Sequence, residues 1–361
     1  MRCTGRRLHA AFFALSRGVK KYSARHSTSP LRPLRPPGRL LSPAPRASRG
    51  VAVRTKYYDR HNSTYFRRAG RGDGGESMEI IENQRFGEER ALYHRRGLTL
   101  RGCRFAGEED GESALKECAD VAAENCLFDL RYPLWHVEKL RAERCTMTEN
   151  CRAALWYGSE IRLIGCTLGG IKAVRECRAV ALEDCTVRSP EFGWRCDGLR
   201  LARCAVEAEE YAFFETRALR ADGMIFDGKY SFQYTQGVHI ARSELHTKDA
   251  FWHAKDVTVT DSVLCGEYLG WYSEGLTLIR CHIRGTQPLC YCRGLRLVDC
   301  TMEGCDLAFE YSDVDATVRG GILSVKNPRS GRIVADHIGE VIRTQDAVYP
   351  SLARVVAREK A

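Results

Sequence analysis

Apolar and polar residues alternate along this chain in short stretches that recur with a period of about 19 residues. Each stretch reads apolar, any residue, apolar, two variable residues, a small residue, any residue and apolar, as in GLTLRGCRF at 97–105 and EIRLIGCTL at 160–168. The alternation has the period of two that is typical of β-strands. A fixed repeat of this length predicts a solenoid, in which each repeat buries its apolar face only against its neighbours.

One small residue in each repeat, here called the anchor, marks the register from one repeat to the next. The anchors are Cys103, Cys126, Cys145, Cys166, Cys185, Cys204, Met224, Ser243, Ser262, Cys281, Cys300 and Gly321. Most steps between successive anchors have the same length as the step from Cys126 to Cys145, and the others are slightly longer. This regularity indicates strands of constant length joined by turns of variable length. The variation in step length excludes the strict hexapeptide repeat of a left-handed β-helix.

This periodicity predicts an all-β fold, a right-handed single-stranded parallel β-helix of roughly 12–13 coils of about 19–20 residues each, over residues 78–349. The alternative is a leucine-rich-repeat-like solenoid, whose repeat also places Leu before a Cys or Asn. That alternative requires a helical or Leu-rich return segment, whereas the return segment here holds Phe or Leu followed by Trp, Tyr and His. Aromatic residues of this kind favour a second strand, and therefore the β-helix.

Residues 1–77 differ in composition from the repeats. They hold 18 Lys and Arg against three acidic residues, whereas the rest of the chain holds 38 basic and 43 acidic residues, so the two parts carry net charges of +15 and −5. We therefore expect 1–77 to be a basic, Arg/Ser/Pro-rich disordered extension, or sequence upstream of a true start at Met78, and 350–361 to be a C-terminal tail. The acidic repeats predict no nucleic-acid partner for the folded domain, and no apolar stretch is long enough for a membrane helix.

Cysteine usage indicates a reduced compartment, and we expect the protein to be cytoplasmic. Eight of the 17 cysteines are anchors, and Cys118, Cys177, Cys196 and Cys292 form a second column eight residues before an anchor. Met and Ser replace Cys at other anchors, which argues against disulfides or a metal in that column. The C-x-C ending at Cys292 lacks a second Cys or His pair at ligand spacing. The sequence therefore predicts no metal site and no cofactor.

Large, partly polar residues occupy the positions nine and ten residues before each anchor, and all five tryptophans lie in the column ten residues before it. Two interpretations stay open. The rings stack on one another as a structural ladder, or they form a stripe of aromatic platforms that binds an oligosaccharide. Under the second interpretation the ligand-binding residues are Trp135, Trp156, Tyr157, Trp194, Tyr234, Trp252, Trp271, Tyr272 and Tyr291.

An enzyme acting on such a ligand would be a glycoside hydrolase or a polysaccharide lyase. The catalytic candidates are Glu176, Arg195, Glu215, His253 and Lys255. A hydrolase needs two carboxylates about 5–10 Å apart, and Glu176 and Glu215 lie two coils apart in one column with Arg195 between them. A lyase needs a basic side chain and a cation beside a uronate, for which the other three candidates are available.

Ion pairing is the structural alternative for these charged residues. A second polar column, about seven residues before the anchors, is also charged. Its members are Asp197, Arg217, Gln236, Lys255, Glu274, Arg293 and Asp313. Acidic and basic side chains follow one another in this column, so we expect an ion-pair ladder there.

The competing functional hypothesis is a non-catalytic scaffold or protein–protein interaction solenoid. In that case the aromatic stripe docks a partner chain or a second copy of the protein, which would form a homo-oligomer. Polymeric glycans are scarce in the compartment that the thiols indicate, and this favours the scaffold. Whether catalysis occurs stays open at this stage.

Residues from Met78 to about Tyr349 resemble an uncharacterised bacterial family, a domain of unknown function that is grouped with pectin-lyase-like β-helices. The motifs that carry the resemblance are FGEERALYHRRGLTLRGCRF (86–105), AENCLFDLRYPLWH (123–136), ALWYGSEIRLIGCTL (154–168), DAFWHAKDVTVTDSVLCGEYLGWYSEGLTLIRCHI (249–283) and QPLCYCRGLRLVDCTM (287–302). The resemblance implies the right-handed β-helix over nearly the whole repeat region. It implies no activity and no catalytic residue, because a fold alone does not determine function.

Overall fold

The structure is a computed structural model that describes residues 78–107 and 111–358. The predictions about residues 1–77 lie outside these ranges. Within them the chain is a parallel β-solenoid, which confirms the predicted fold class, and every strand pairing is parallel. The single helix of the described residues is one 3₁₀ turn, Glu149–Cys151, so the returns are not those of a helical leucine-rich repeat. The handedness of the coils stays a prediction.

The first ladder of strands contains the apolar alternation that precedes each anchor. In the described residues it has fifteen strands: Glu79–Glu82, Arg96–Arg101, Ala119–Glu124, Glu138–Glu143, Ser159–Ile164, Arg178–Glu183, Asp197–Ala202, Arg220–Asp222, Gln236–Ala241, Lys255–Thr260, Thr277–Ile279, Leu295–Glu303, Asp313–Arg319, Ser330–Ala335 and Arg354–Ala357. Fifteen layers exceed the predicted 12–13 coils. The first strand and the last two lack the repeat phrase, so the sequence pattern does not include them in the count.

A second ladder follows each anchor, and Leu295–Glu303 extends into it. Its other strands are Arg85–Phe86, Arg104–Phe105, Leu127–Phe128, Thr146–Met147, Thr167–Leu168, Thr186–Arg188, Ala205–Ala208, Ile225–Lys229, Glu244–Lys248, Val263–Cys265 and His282–Arg284. Gly321–Lys326 and His337–Ile342 pair with each other in a separate two-stranded sheet. A third, shorter ladder contains Leu134–Trp135, Leu155–Trp156 and Val174–Arg175. The core lies between the ladders and is built from the inward-pointing Leu, Val, Phe and Cys side chains.

Successive coils have the register that the anchor spacing predicts. Ser159 pairs with Arg178 of the next coil and with Glu138 of the preceding coil, and each step equals the step between the corresponding anchors. The last predicted repeat is wrong, because Cys300 pairs with Val318 and not with Gly321. An irregularity between Leu297 and Cys300 shortens the offset by one residue, and the sequence pattern alone does not reveal it.

The Cys and Ser anchors form a ladder of buried side chains. The Sγ of Cys166 accepts a hydrogen bond from the backbone N–H of Cys145 at 3.4 Å, and the Oγ of Ser262 accepts one from the N–H of Ser243 at 3.0 Å. All sixteen cysteines of the described residues are free and buried, as the column pattern predicts. In the second cysteine column, burial raises the pKa of the Cys177 thiol to about 12, so this column holds thiols and not thiolates.

Replacing Cys166 with serine should leave the fold intact. Ser243 and Ser262 already make the same contact in two coils, so we expect the free energy of unfolding to change by less than about 1 kcal/mol. Urea denaturation measures this change. As a control, Cys166→Leu should destabilise by about 1–3 kcal/mol through overpacking. An equally large loss for serine would contradict the assignment of the anchor as a small hydrogen-bonding position.

Candidate functional site

The two columns of large residues lie at one corner of every coil. The corner residue has a positive φ between 51° and 60° in twelve successive coils of the described chain. It lies nine residues before the anchor in all of these coils except the last. These residues are His94, Glu117, His136, Tyr157, Glu176, Arg195, Glu215, Tyr234, His253, Tyr272, Tyr291 and Tyr311. The backbone N–H of each bonds to a carbonyl of the next coil, as in Glu176 to Trp194 at 2.7 Å. This left-handed corner residue is exposed or half-buried, and in most coils the residue before it is more buried.

The tryptophans of the inner column use their ring faces for contacts within the protein. Trp135 stacks on Trp156 with ring centroids 5.1 Å apart, and Trp252 stacks on Trp271 at 5.4 Å. The indole N–H of Trp194 donates to a backbone carbonyl, as do those of Trp252 and Trp271. Their stacking and hydrogen bonding are those of a structural ladder, and a sugar cannot reach a ring face that another ring covers.

Cations cover the outer faces of the first three tryptophans. Lys116 Nζ lies 4.3 Å from the ring centroid of Trp135, and the Arg175 guanidinium lies 4.9 Å from that of Trp156. Lys172 Nζ lies 4.8 Å from the ring centroid of Trp194. These cation–π contacts stabilise the column. They leave little aromatic surface there for a ligand.

The outer column, of residues nine before the anchors, is aromatic in two runs separated by a charged break. One run is His136 stacked on Tyr157, and the other begins at Tyr234 and includes His253 and Tyr272. The break consists of Glu176, Arg195 and Glu215. Tyr234 is therefore the terminal ring of its run, and it is 51% exposed. One face stacks on His253 at 5.0 Å, while Phe214 meets Tyr234 edge to face at 5.6 Å.

A groove with a volume of about 530 Å³ opens at this break, and we call it the central groove. It brings together five predicted site residues from four successive coils, with His253 and Lys255 in the same coil. These are Arg195, Glu215, Tyr234, His253 and Lys255, and the remaining lining is Cys196, Asp197, Arg217, Thr235 and Gln236. The lining contains neither Glu176 nor any of the predicted tryptophans, and Tyr157, Tyr272 and Tyr291 also lie outside it.

Charged groups in the central groove are only partly paired. Arg195 Nε donates to Glu215 at 2.7 Å, and Lys255 Nζ lies 3.4 Å from Glu274. Arg217 has no carboxylate within ion-pair distance among the described residues. The expected ion-pair ladder is therefore interrupted here, and the Arg217 guanidinium is available to a ligand.

Glu176 lies apart from the groove in a hydrogen-bonded setting of its own. Partial burial favours its neutral form, but hydrogen bonds from Tyr157 and Arg175 outweigh that effect, and the pKa of Glu176 is lowered. Its carboxyl group is therefore ionised at neutral pH. A general acid of a glycosidase requires the opposite shift.

No group of three or more metal-binding side chains occurs in the described residues. No helix in the same part of the chain is long and apolar enough to cross a membrane.

These features define a parallel β-helix protein with a surface groove of mixed charge. The chain belongs to the family described as "Protein of unknown function (DUF3737)", whose sequence profile matches residues 79–356. This membership confirms the resemblance noted from the sequence. A comparison with curated proteins found no match.

Several solved structures are similar in fold. One is PfbA, a surface adhesin of Streptococcus pneumoniae, with 6% identity over 70% of this chain and 86% of that chain and a TM-score of 0.34. Another is the A-module of the Azotobacter vinelandii mannuronan C-5 epimerase AlgE4, with 9% identity over 78% and 90% of the two chains and a TM-score of 0.29. The catalytic domain of a GH87 alpha-1,3-glucanase has 8% identity over 79% and 64%, with a TM-score of 0.18. None of these likenesses bears on what this chain binds.

Proposed function

We propose that this protein binds an oligosaccharide in the central groove and does not hydrolyse it. The observation that carries the proposal is the exposed terminal ring of Tyr234, which borders a groove with an unpaired guanidinium, Arg217. A sugar ring has apolar faces and hydroxyl edges, and it suits an aromatic face beside planar charged groups. The other rings of the stripe maintain the coil and do not contact the ligand.

The arrangement of carboxylates supports binding over hydrolysis. A glycosidase needs a protonated carboxyl group and a second carboxylate on either side of the scissile bond. Glu176 lies outside the groove with a lowered pKa, and Glu215 pairs with Arg195 at 2.7 Å. Neither is placed to act as the general acid. The role of His253 is to support the Tyr234 ring, on which it stacks.

The test uses the full-length protein with a panel of neutral and acidic oligosaccharides. Isothermal titration calorimetry measures binding, and mass spectrometry of the mixture detects any cleavage. We expect one class of sugar to bind without product formation. Tyr234→Ala should weaken that binding about tenfold or more, because stacking on an exposed aromatic contributes about 1–2 kcal/mol.

Tyr157→Ala is the matched control, since Tyr157 is 44% exposed and lies at the end of the other aromatic run, outside the groove. It should leave affinity unchanged. Equal affinities for wild type and the Tyr234 variant would rule out the groove as the binding site. If no oligosaccharide of the panel binds and the folded protein elutes as a dimer, the result would favour the scaffold hypothesis instead.

A further inference from the structure

A second concave surface lies on the solvent face of the first ladder and is distinct from the central groove. Its volume is about 550 Å³, and we call it the sheet trough. The floor is formed by small side chains, Ala181, Ala202 and Ala241, with Thr258 and Thr260 at one end. Small residues on the outer face of successive strands leave a depression, because the neighbouring side chains are long. A volume of this size falls within the range of small-molecule sites.

Three basic side chains cross the sheet trough in register. Arg200 pairs with Arg220 on the next strand, and Arg220 pairs with His239 on the strand after that. Registered residues of neighbouring parallel strands are about 4.8 Å apart and point to the same face. All three are exposed, and no carboxylate of the described residues forms an ion pair with either guanidinium.

The acids of the sheet trough are already neutralised by other arginines. Glu183 pairs with Arg162 at 3.2 Å and with Arg203 at 2.7 Å, and Asp222 pairs with Arg242. Arg200 and Arg220 therefore lack carboxylate partners on a face where Arg162, Arg203 and Arg242 have them. Like charges directly opposite each other on a sheet are destabilising. An anion placed between them would remove that repulsion.

We propose that Arg200, Arg220 and His239 form a binding site for the phosphate group of a small organic phosphate. Two guanidinium forks and an imidazole offer more donors than the two oxygens of a carboxylate can accept, whereas a tetrahedral phosphate can engage all three side chains. Its double negative charge balances both arginines. Glu183 and Asp222 on either side disfavour a long polyanion, so the ligand is compact. Its uncharged part lies along the alanine floor.

The first experiment titrates the full-length protein with inorganic phosphate, sulfate and acetate at constant ionic strength, by calorimetry and by melting temperature. We expect phosphate and sulfate to bind and to raise the melting temperature, and acetate to bind at least about tenfold more weakly. A sugar monophosphate and a nucleoside monophosphate, titrated next, distinguish the organic part. Absence of binding by any of these anions at millimolar concentration overturns the proposal.

Variants separate a built site from general surface charge. Arg200→Ala and Arg220→Ala should each lower the affinity for inorganic phosphate about tenfold or more. Arg296→Ala is the matched control, because Arg296 occupies the same column but lies in register with Thr277 and Asp315. It should leave the affinity unchanged. Equal losses of phosphate affinity in all three variants would mean that binding depends only on net charge, and this would contradict the proposed site.

The melting temperatures of the arginine variants without phosphate distinguish a binding role of these arginines from a purely structural one, because the two roles predict opposite changes. Removing one of two adjacent cations should preserve or raise it, whereas loss of a structural contact would lower it. Tyr234→Ala should not affect phosphate binding. The experiments can therefore disprove oligosaccharide binding in the central groove and phosphate binding in the sheet trough independently of each other.

Discussion

Replacing Phe232 with alanine should lower the free energy of unfolding by about 3–5 kcal/mol. The side chain is 0% exposed, and its ring stacks between Phe213, with centroids 4.6 Å apart, and Phe251, at 4.9 Å. A solenoid coil contacts only its two neighbours, so the cavity cannot be filled by distant elements. The loss includes both the buried apolar surface and the stacking on two sides. Urea denaturation followed by far-ultraviolet circular dichroism measures it.

Ile225→Ala is the control for this variant, because Ile225 is a large apolar residue near Phe226 that is 41% exposed. We expect it to change stability by no more than about 0.5 kcal/mol. Relative to the wild type, the Phe232 variant should show a larger increase in hydrogen exchange in the coils around position 232 than in the coils near either end. A uniform effect over all coils, or similar losses for both variants, would mean that the phenylalanine stack is not a local source of stability.

Replacing Gly285 with alanine should destabilise the protein by about 3 kcal/mol or more. Gly285 has a φ of 133°, which L-residues rarely adopt, and a Cβ at this position would lie 1.9 Å from the backbone oxygen of Gly266. The clash is with the backbone of the neighbouring coil, so no side-chain rotation relieves it. The turn must move, and the hydrogen bond from the Gly266 N–H to Arg284, 2.9 Å long, moves with it.

Gly304→Ala separates the conformational penalty of a positive φ from the steric clash with the neighbouring coil. Gly304 has a φ of 68°, but nothing lies within 4 Å of a Cβ built there. Only the conformational penalty of about 1 kcal/mol applies. Thermal and urea unfolding of both variants should therefore differ by about 2 kcal/mol or more. Equal destabilisation would show that the close approach of the coils at Gly285 is relieved by small backbone shifts.

The candidate site was predictable in part. Column counting placed Arg195, Glu215, Tyr234 and His253 in one column and Lys255 in the neighbouring polar column, and the structure brings all five together in one groove. The tryptophans were equally visible in the pattern, yet their faces turn out to be covered by other rings and by cations. Sequence position identifies the column of a side chain. It does not show which of its surfaces is open.

The sheet trough illustrates the same limit. Arg200, Arg220 and His239 occupy the variable position between two apolar residues, in GLRLARC, ALRADG and GVHIARS, where a charged residue is ordinary. What distinguishes them is their register, beside acidic residues that are already paired to other arginines. Their lack of partners depends on which side chains the turns bring close. No spacing in the chain encodes that information directly.

The regular repeat and the alternation within it were enough to establish the all-β solenoid, the pairing of most coils and the buried role of the cysteines. These properties follow from local patterning, since a strand with one apolar face can only be buried in one register. The extra coils at the ends, the shifted pairing at Cys300 and the open faces of the rings followed from the folded chain alone. They depend on contacts between residues in neighbouring coils and on the backbone geometry of the turns, which the apolar pattern does not constrain.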